Sequence, residues 1–366
     1  MRLIVSGGGT GGHIYPGIAV AEGIISNSPG SRILFIGTER SVDKRAFAGG
    51  KFESARLNCQ GLKGKGFPAF LKSFGLLPVS LIRALKLVYR FKPDLVLGVG
   101  GYVSGPVLLA ARIMGKSTCI HEQNSVPGLA NRMTGKFVDR VFITYPESEG
   151  YFPAGKCILT GNPVRTKVAG IGQIRRLAGY SSEVDDSFTL GVLGGSLGAH
   201  RINTLMVKGL VGIRQDLPES FQVLHQTGSA DEDMVREAYR SAGLKARVSE
   251  FFEDMVDFYQ NVDLVISRSG ATSLAEMTVL GIPMILIPYP HAADDHQRRN
   301  AEFMVRGGAA RMLLEEGLTD SRLAEEILGL LTDKDKRLKM AEAAKGLSRP
   351  DALSTIVEEC KKIVTD

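Results

Sequence analysis

The stretch SGGGTGGHIYPG (6–17) sets five glycines (7–9, 11 and 12) around Thr10 and places His13 directly after them. A backbone this bare lets a ligand approach closely. A helix beginning just beyond it turns N–H groups and a positive dipole end toward that ligand, which suits a diphosphate. His13 is the first side chain there that titrates. Neutral imidazole accepts a proton near neutral pH, and the helix start is expected to keep the ring neutral, so His13 reads as a general base. Glu122, closing the run TCIHE (118–122), is the reserve base. A second glycine turn, GGSLG (194–198), follows another apolar run. Two such cradles fit a reaction that expels a diphosphate or joins two phosphorylated substrates.

Gly7, Gly9 and Gly12 also satisfy G-x-G-x-x-G, the dinucleotide fingerprint. That reading wants an acidic residue ending the second strand. Glu39 comes late, beyond FIGT, and the second turn does not fit the pattern. Glycines that merely permit tight helix–sheet packing are the structural alternative, as is a histidine that is only a polar loop residue.

The elements that must position these residues follow from hydrophobic patterning. Short apolar runs alternate with amphipathic segments, as in parallel sheets covered on both faces. The strand candidates are 2–6, 32–37, 94–100, 118–122 and 140–145, then 188–195, 221–228, 263–270 and 283–290. Ile14, Ile18, Ala21 and Ile25 share one helical face, and Pro16 is expected in that helix's first turn. The unit at 2–25 recurs as FTLGVLGGSLGAHRINTLM (188–206). With 366 residues, the chain reads as α/β, with two Rossmann-like doubly wound parallel-sheet domains facing across a cleft. The expected boundaries are 1–162 and 163–345, with a terminal helix over 346–366 that could pack back on the first domain.

The motifs GGGTGGHIYPGIAVA, GVGGYVSGPVLLAA, HEQNSVPGLANR, TGNPVR, GVLGGSLGAHRIN, SRSGATSLAEM and HAADDHQRRNA occur in this order. Together they resemble the bacterial MurG family over residues 2 to 310. The resemblance implies a GT-B fold with the donor held between the domains. It also implies inverting transfer of GlcNAc from UDP-GlcNAc to the C4 hydroxyl of the MurNAc-pentapeptide of undecaprenyl-diphosphate-linked lipid I, forming lipid II for peptidoglycan. It places Thr10, Gly11, Gly12, Asn124, Arg165, Ser196, Phe252, Gln297 and the run Ala271, Thr272, Ser273, Leu274, Ala275 and Glu276 at the substrate site, and His13 as the base. Glu276 would hold a ribose diol, Ser196 and its amides the leaving diphosphate, and Gln297 and Asn124 sugar hydroxyls or the acetamido group. Leu197 stands where the family often carries glutamine. Phe252 replaces a usually aliphatic residue and is expected to pack against uracil.

From Arg56 to Lys92 there are eight Lys or Arg residues and no Asp or Glu, mixed with Phe and Leu. Such a surface suits an anionic membrane, with Leu81, Leu85 and Val88 including core positions. The expectation is a peripheral protein on the cytoplasmic face of the bacterial inner membrane. No nucleic-acid module is visible. MRLIVSGGG lacks the apolar length of a signal peptide, and no run of 18 apolar residues exists. The four cysteines have no metal-ligand spacing and read as free thiols. Asp231-Glu232-Asp233 and Asp333-Lys334-Asp335 read as surface charge, so neither metal nor cofactor is expected. A GT-B enzyme with another lipid acceptor, a UDP-sugar epimerase and a non-catalytic nucleotide-binding module are the rival readings.

Overall fold

The computed structural model describes residues 1–8, 11–38, 52–57, 67–171, 188–195 and 198–365. The chain divides into two compact units. One comprises Met1–Arg165 with Arg349–Asp366, the other Thr166–Ser348.

In the first unit the sheet runs β3(Glu53–Arg56), β2(Arg32–Gly37), β1(Arg2–Ser6), β4(Leu95–Gly98), β5(Ser117–Glu122), β6(Arg140–Ile143), β7(Cys157–Leu159). In the second it runs β10(Lys245–Ser249), β9(Gln222–Gln226), β8(Thr189–Leu193), β11(Leu264–Ser267), β12(Met284–Leu286), β13(Ala310–Met312). Every pairing in both sheets is parallel. The strand order reverses between β1 and β4 in one sheet and between β8 and β11 in the other. Ligands of doubly wound folds bind outside the carboxyl ends of the strands at such a reversal. Both glycine turns leave their sheets there.

Four strands escape the hydrophobic pattern: β3, β7, β10 and β13, the two edges of each sheet. Their sequences are ESAR, CIL, KARVS and ARM, and their side chains are largely half-buried or exposed. An edge strand has one paired side and less cover, so it needs no unbroken apolar run.

The first helix spans Gly11–Asn27 and buries Ile14, Val20, Ala21 and Ile24, with Ile18 and Ile25 packed beside them. Pro16 is its sixth residue rather than a member of its first turn. It cannot donate to the Gly12 carbonyl, so the opening turn that carries His13 lacks that rung of the helix ladder. The last helix, Ala352–Thr365, lies against the first. Its Ile356, Val357 and Cys360 complete the core over Leu3, Val5, Leu95 and Leu97. A Cβ on Gly23 would come within 3.0 Å of Leu353, so glycine allows the two helices to approach. Cys360 meets Cys119 of β5 there as a thiol neighbour, and burial raises the Cys119 thiol well above its ordinary range.

Candidate active site

In the first unit the turn after β1 and the turn after β4 lie back to back. A Cβ on Gly7 would sit 2.3 Å from Val99 Cγ2, and one on Gly101 would sit 2.6 Å from the Gly8 carbonyl oxygen. The buried Ser104 hydroxyl joins the two strand ends, its oxygen lying 2.8 Å from the Ser6 carbonyl and 2.9 Å from the Gly100 carbonyl, with one hydrogen to share between them. His13 packs on this platform. Gly100 has φ +101°, and a Cβ there would lie 2.8 Å from His13 Nδ1, so only glycine gives both the backbone conformation and the room.

His13 Nδ1 is 3.0 Å from Gln123 Oε1. Gln123 follows β5 directly and is buried, as are its neighbours His121 and Glu122. Its amide nitrogen lies 3.0 Å from the Val99 carbonyl, 3.0 Å from His121 Nδ1 and 3.1 Å from the His121 carbonyl. His121 Nε2 in turn donates to the Gly161 carbonyl at 3.0 Å. Burial outweighs that bond and lowers the His121 pKa to about 4.

Glu122 is enclosed differently. One oxygen accepts from the backbone N–H of Asn124 at 2.9 Å and its side-chain amide at 3.2 Å. The other accepts from the Gly128 N–H at 3.2 Å and the Asn131 amide at 2.8 Å. Burial pushes its pKa up, against the pull of these bonds. The carboxyl thereby anchors the loop that presents Asn124. Arg165, the last residue of the unit before the chain enters the second, lies over the Tyr15 ring at 5.3 Å.

The second unit repeats the plan with different residues. Gly198 has φ +77°, and a Cβ on it would stand 1.9 Å from the Thr227 carbonyl oxygen. Gln226, ending β9, donates to the Gly195 carbonyl at 3.0 Å and accepts from the Phe252 N–H at 3.0 Å. It therefore ties the glycine turn to the segment after β10. Phe252 is itself buried, with its ring against Phe258 at 5.2 Å and Arg247 at 5.2 Å. That ring is used in the unit's own packing.

After β11 the chain turns through Arg268–Gly270 into the helix Ala271–Leu280. Leu274 is fully buried and Ala271 nearly so, whereas Thr272, Ser273 and Ala275 are half-exposed around the helix start. Glu276 is buried, and its Oε2 accepts the Tyr259 hydroxyl at 3.0 Å. Gln297 Oε1 accepts the Tyr289 N–H at 3.0 Å, and its backbone carbonyl accepts the Ser269 hydroxyl at 2.7 Å. Arg268 pairs with Glu315 at 2.5 Å and donates to the carbonyls of Ile287 and Pro288.

Beneath the second glycine turn, Asn203 donates to Asp231 at 2.7 Å and to the Thr227 carbonyl at 2.9 Å. Its oxygen faces His225 Nε2 at 3.0 Å, and His225 Nδ1 meets the Tyr239 hydroxyl at 3.0 Å. Burial lowers the His225 pKa to about 3. Asp231, which the polar pattern places on the surface, is thus buried in a network completed by His200 at 2.9 Å. Asp333 is exposed and caps the helix Lys334–Leu347, accepting the Lys336 N–H.

Of the expected site residues, His13, Asn124 and Arg165 fall in the first unit, and Phe252, Ala271–Glu276 and Gln297 in the second. Thr10, Ser196 and Leu197 lie outside the described residues, and only the backbone of Gly11 is described. Gln123, His121, Gln226 and the Asn203 network escaped the sequence reading. Their signal is a polar side chain inside or ending a buried apolar strand, as in HEQ and LHQ, because such a group must find hydrogen-bond partners. Among the described residues no group of three or more His, Cys, Asp or Glu could hold a metal ion.

Two Rossmann-like units of this strand order, each with a glycine turn at its reversal point, define the GT-B glycosyltransferase fold. The models of the glycosyltransferase family 28 N-terminal and C-terminal domains match residues 3–143 and 189–356. Relatives from Desulfotalea psychrophila and Geobacter metallireducens are each 44% identical, over 99% and 98% of this chain and 97% and 98% of theirs. Both are named UDP-N-acetylglucosamine–N-acetylmuramyl-(pentapeptide) pyrophosphoryl-undecaprenol N-acetylglucosamine transferase. The crystal structure of Acinetobacter baumannii MurG is 26% identical and covers 99% of this chain and 100% of its own, with a TM-score of 0.77. The chain belongs to glycosyltransferase family 28, in its MurG family. A UDP-GlcNAc 2-epimerase from Neisseria meningitidis, covering 99% of this chain and 100% of its own at a TM-score of 0.69, is 14% identical and shares the fold alone.

The two buried histidines make stability depend on pH with a definite sign. Each is neutral when folded, with its pKa depressed to about 4 (His121) or about 3 (His225), while the unfolded chain takes up protons near the ordinary value of 6.5. Their contribution is full above pH 6.5 and is lost as pH falls from there toward the folded values. By pH 5 each unit is expected to have lost about 2 kcal/mol. Urea midpoints measured from pH 8 down to 5 check this; constant midpoints would contradict it.

Proposed function

We propose that this chain moves GlcNAc from UDP-GlcNAc to the C4 hydroxyl of the MurNAc-pentapeptide of lipid I, forming lipid II for peptidoglycan synthesis. The observation that carries the reading is identity of 44% along nearly the whole chain to relatives bearing that name. The geometry supports the following division of roles. The first unit presents the acceptor and the base, and the second holds the donor.

His13 takes the proton of the C4 hydroxyl as that oxygen attacks C1 of GlcNAc. The bond from C1 to the diphosphate oxygen breaks on the opposite face, UDP leaves with the electron pair, and the configuration at C1 inverts. Helix starts at His200 and Ala271 offer amides and positive dipole ends to the departing diphosphate, with Ser196 and Arg165 as further donors. Glu276, oriented by Tyr259, accepts from the ribose hydroxyls. Gln297 and Asn124 bind sugar hydroxyls or the acetamido group. Thr10, Gly11 and Gly12 line the acceptor's diphosphate, and the backbone from Ala271 to Ala275 faces the nucleotide, as does the segment of Phe252. Glu122 serves as the anchor of the Asn124 loop, and the base role falls to His13.

The lipid acceptor calls for a membrane surface. No helix of the described residues is long and apolar enough to cross a bilayer. The helix Phe67–Phe91 buries Ala84, Val88 and Phe91 and packs Leu81 and Leu85 against the core. Its other face exposes Val79, Ile82 and Tyr89, the last two by about two-thirds, together with Arg83, Lys86 and Arg90. An apolar stripe mixed with cations suits peripheral docking on the anionic cytoplasmic leaflet, each cation contributing about 1 kcal/mol near the surface.

Labelled UDP-GlcNAc with a short-chain lipid I analogue, chelator present, tests the reaction. Labelled disaccharide-lipid and UDP are expected in equal amounts, and only with the analogue. His13→Ala is expected to lower kcat by about 10²–10⁴-fold. UDP release or epimerised sugar without lipid product would contradict the proposal. For docking, sedimentation with phosphatidylglycerol-containing vesicles is expected to exceed that with pure phosphatidylcholine, and Ile82→Glu with Tyr89→Glu to weaken it about tenfold or more. Equal partition into both vesicles would refute the docking face.

A further inference from the structure

We infer that Gln123 and His121 are positioning residues that fix the tautomer of His13 and thereby assign its lone pair to Nε2. The inference rests on the reading of His13 as the base and adds the groups that make one of its two nitrogens basic.

The argument starts from carbonyls, which can only accept. The Gln123 side-chain atom facing the Val99 and His121 carbonyls, at 3.0 and 3.1 Å, is therefore the amide nitrogen. Its oxygen then faces His13 Nδ1 at 3.0 Å and has no hydrogen to give. His13 Nδ1 must carry a hydrogen in either charge state of the ring. In the neutral ring the lone pair falls to Nε2.

His121 keeps the row pointing one way. Its Nε2 donates to the Gly161 carbonyl at 3.0 Å, so in the neutral ring Nδ1 is an acceptor, and it faces the Gln123 amide nitrogen at 3.0 Å. A second proton on His121 would aim an N–H at that amide N–H, and burial opposes it. Donation thus runs from His13 to Gln123, from Gln123 to His121, and from His121 to the backbone of Gly161. Gln123 has two amide hydrogens for three acceptors, so rotation of the amide would lose all three contacts and set its nitrogen against His13.

Its logic is that of a neutral orienting partner. A carboxylate behind an imidazole would stabilise the charged ring as well as orient it. A glutamine orients the ring without a full charge, so the base stays available for the proton of a hydroxyl.

Full-length protein labelled with ¹⁵N-histidine tests this by long-range ¹H–¹⁵N correlation at about pH 8, above the ordinary histidine range. The chain has six histidines, and His13→Gln identifies the His13 signals. In the wild type, His13 is expected to show a protonated Nδ1 and a pyridine-type Nε2. Gln123→Met, which keeps the length and removes the acceptor, is expected to raise the Nε2–H form. It should also lower kcat about 10–10²-fold while KM for UDP-GlcNAc stays within about twofold. A merely structural Gln123 would leave the tautomer unchanged. A wild-type His13 protonated on Nε2 would overturn the inference, whether or not Gln123→Met folds, and so would a Gln123→Met spectrum matching the wild type. If the tautomer shifts and kcat does not, the positioning stands and the base role of His13 falls instead.

Discussion

Two turns leaving neighbouring parallel strands in the same direction compete for one space, and the rest of this molecule depends on how glycine resolves that conflict. At the first reversal point a Cβ on Gly7 or Gly101 would drive into Val99 or the Gly8 carbonyl. In the second sheet, one on Gly198 would overlap the carbonyl of Thr227, which follows the neighbouring strand β9. With no side chain at these glycines the turns pass each other, and the helices that follow begin at the sheet's carboxyl edge. Their N-termini then face the crevice where a diphosphate can bind. His13 inherits its place from the same packing, since its ring lies on the one face of Gly100 that a methyl group would fill.

Bare turns specify little by themselves, and buried polar side chains supply what they lack. Each unit places a histidine inside a core strand beside a glutamine at or just beyond its carboxyl end: His121 and Gln123 in the first, His225 and Gln226 in the second. Burial keeps both histidines neutral, so each ring has one donor and one acceptor and can serve as a directional link. In the first unit the row of donors starts at His13 and ends at the Gly161 carbonyl. In the second, Gln226 holds the glycine turn and the Phe252 segment together, while Asn203 fixes the helix start above Asp231. Losing one partner in such a network leaves others buried and unpaired, at about 1–3 kcal/mol each. These networks therefore hold the turns to one geometry.

The sequence made the central strands, the glycine turns and the repeat of the two halves legible, because strands covered on both faces must be apolar throughout. The four edge strands carry no such requirement, and short polar segments such as ESAR and KARVS pair without announcing themselves. Pro16 was legible as a helix residue but not as its sixth, since the glycines before it lack the apolar periodicity that marks a helix start. His13 could be singled out by its place beside the turn. Its orienting partners lie about 110 residues away in sequence and meet it only through the adjacency of β1, β4 and β5. Asp231 looked like surface charge because its flanking residues are charged, whereas the partners that bury it come from another helix and strand. Lone polar residues in HEQ and LHQ were the readable trace of both networks.

The central claim, that the reversal point of the second sheet receives the nucleotide sugar, is tested most directly by hydrogen–deuterium exchange of the full chain with and without UDP-GlcNAc. The account predicts slowed exchange in peptides covering Gly198–Asn203 and Ser267–Glu276, at the starts of the two helices it assigns to the diphosphate. Slowed exchange around Val99–Gly101 and Gln123–Gly128, with none in the second unit, would place the donor on the other sheet and contradict it.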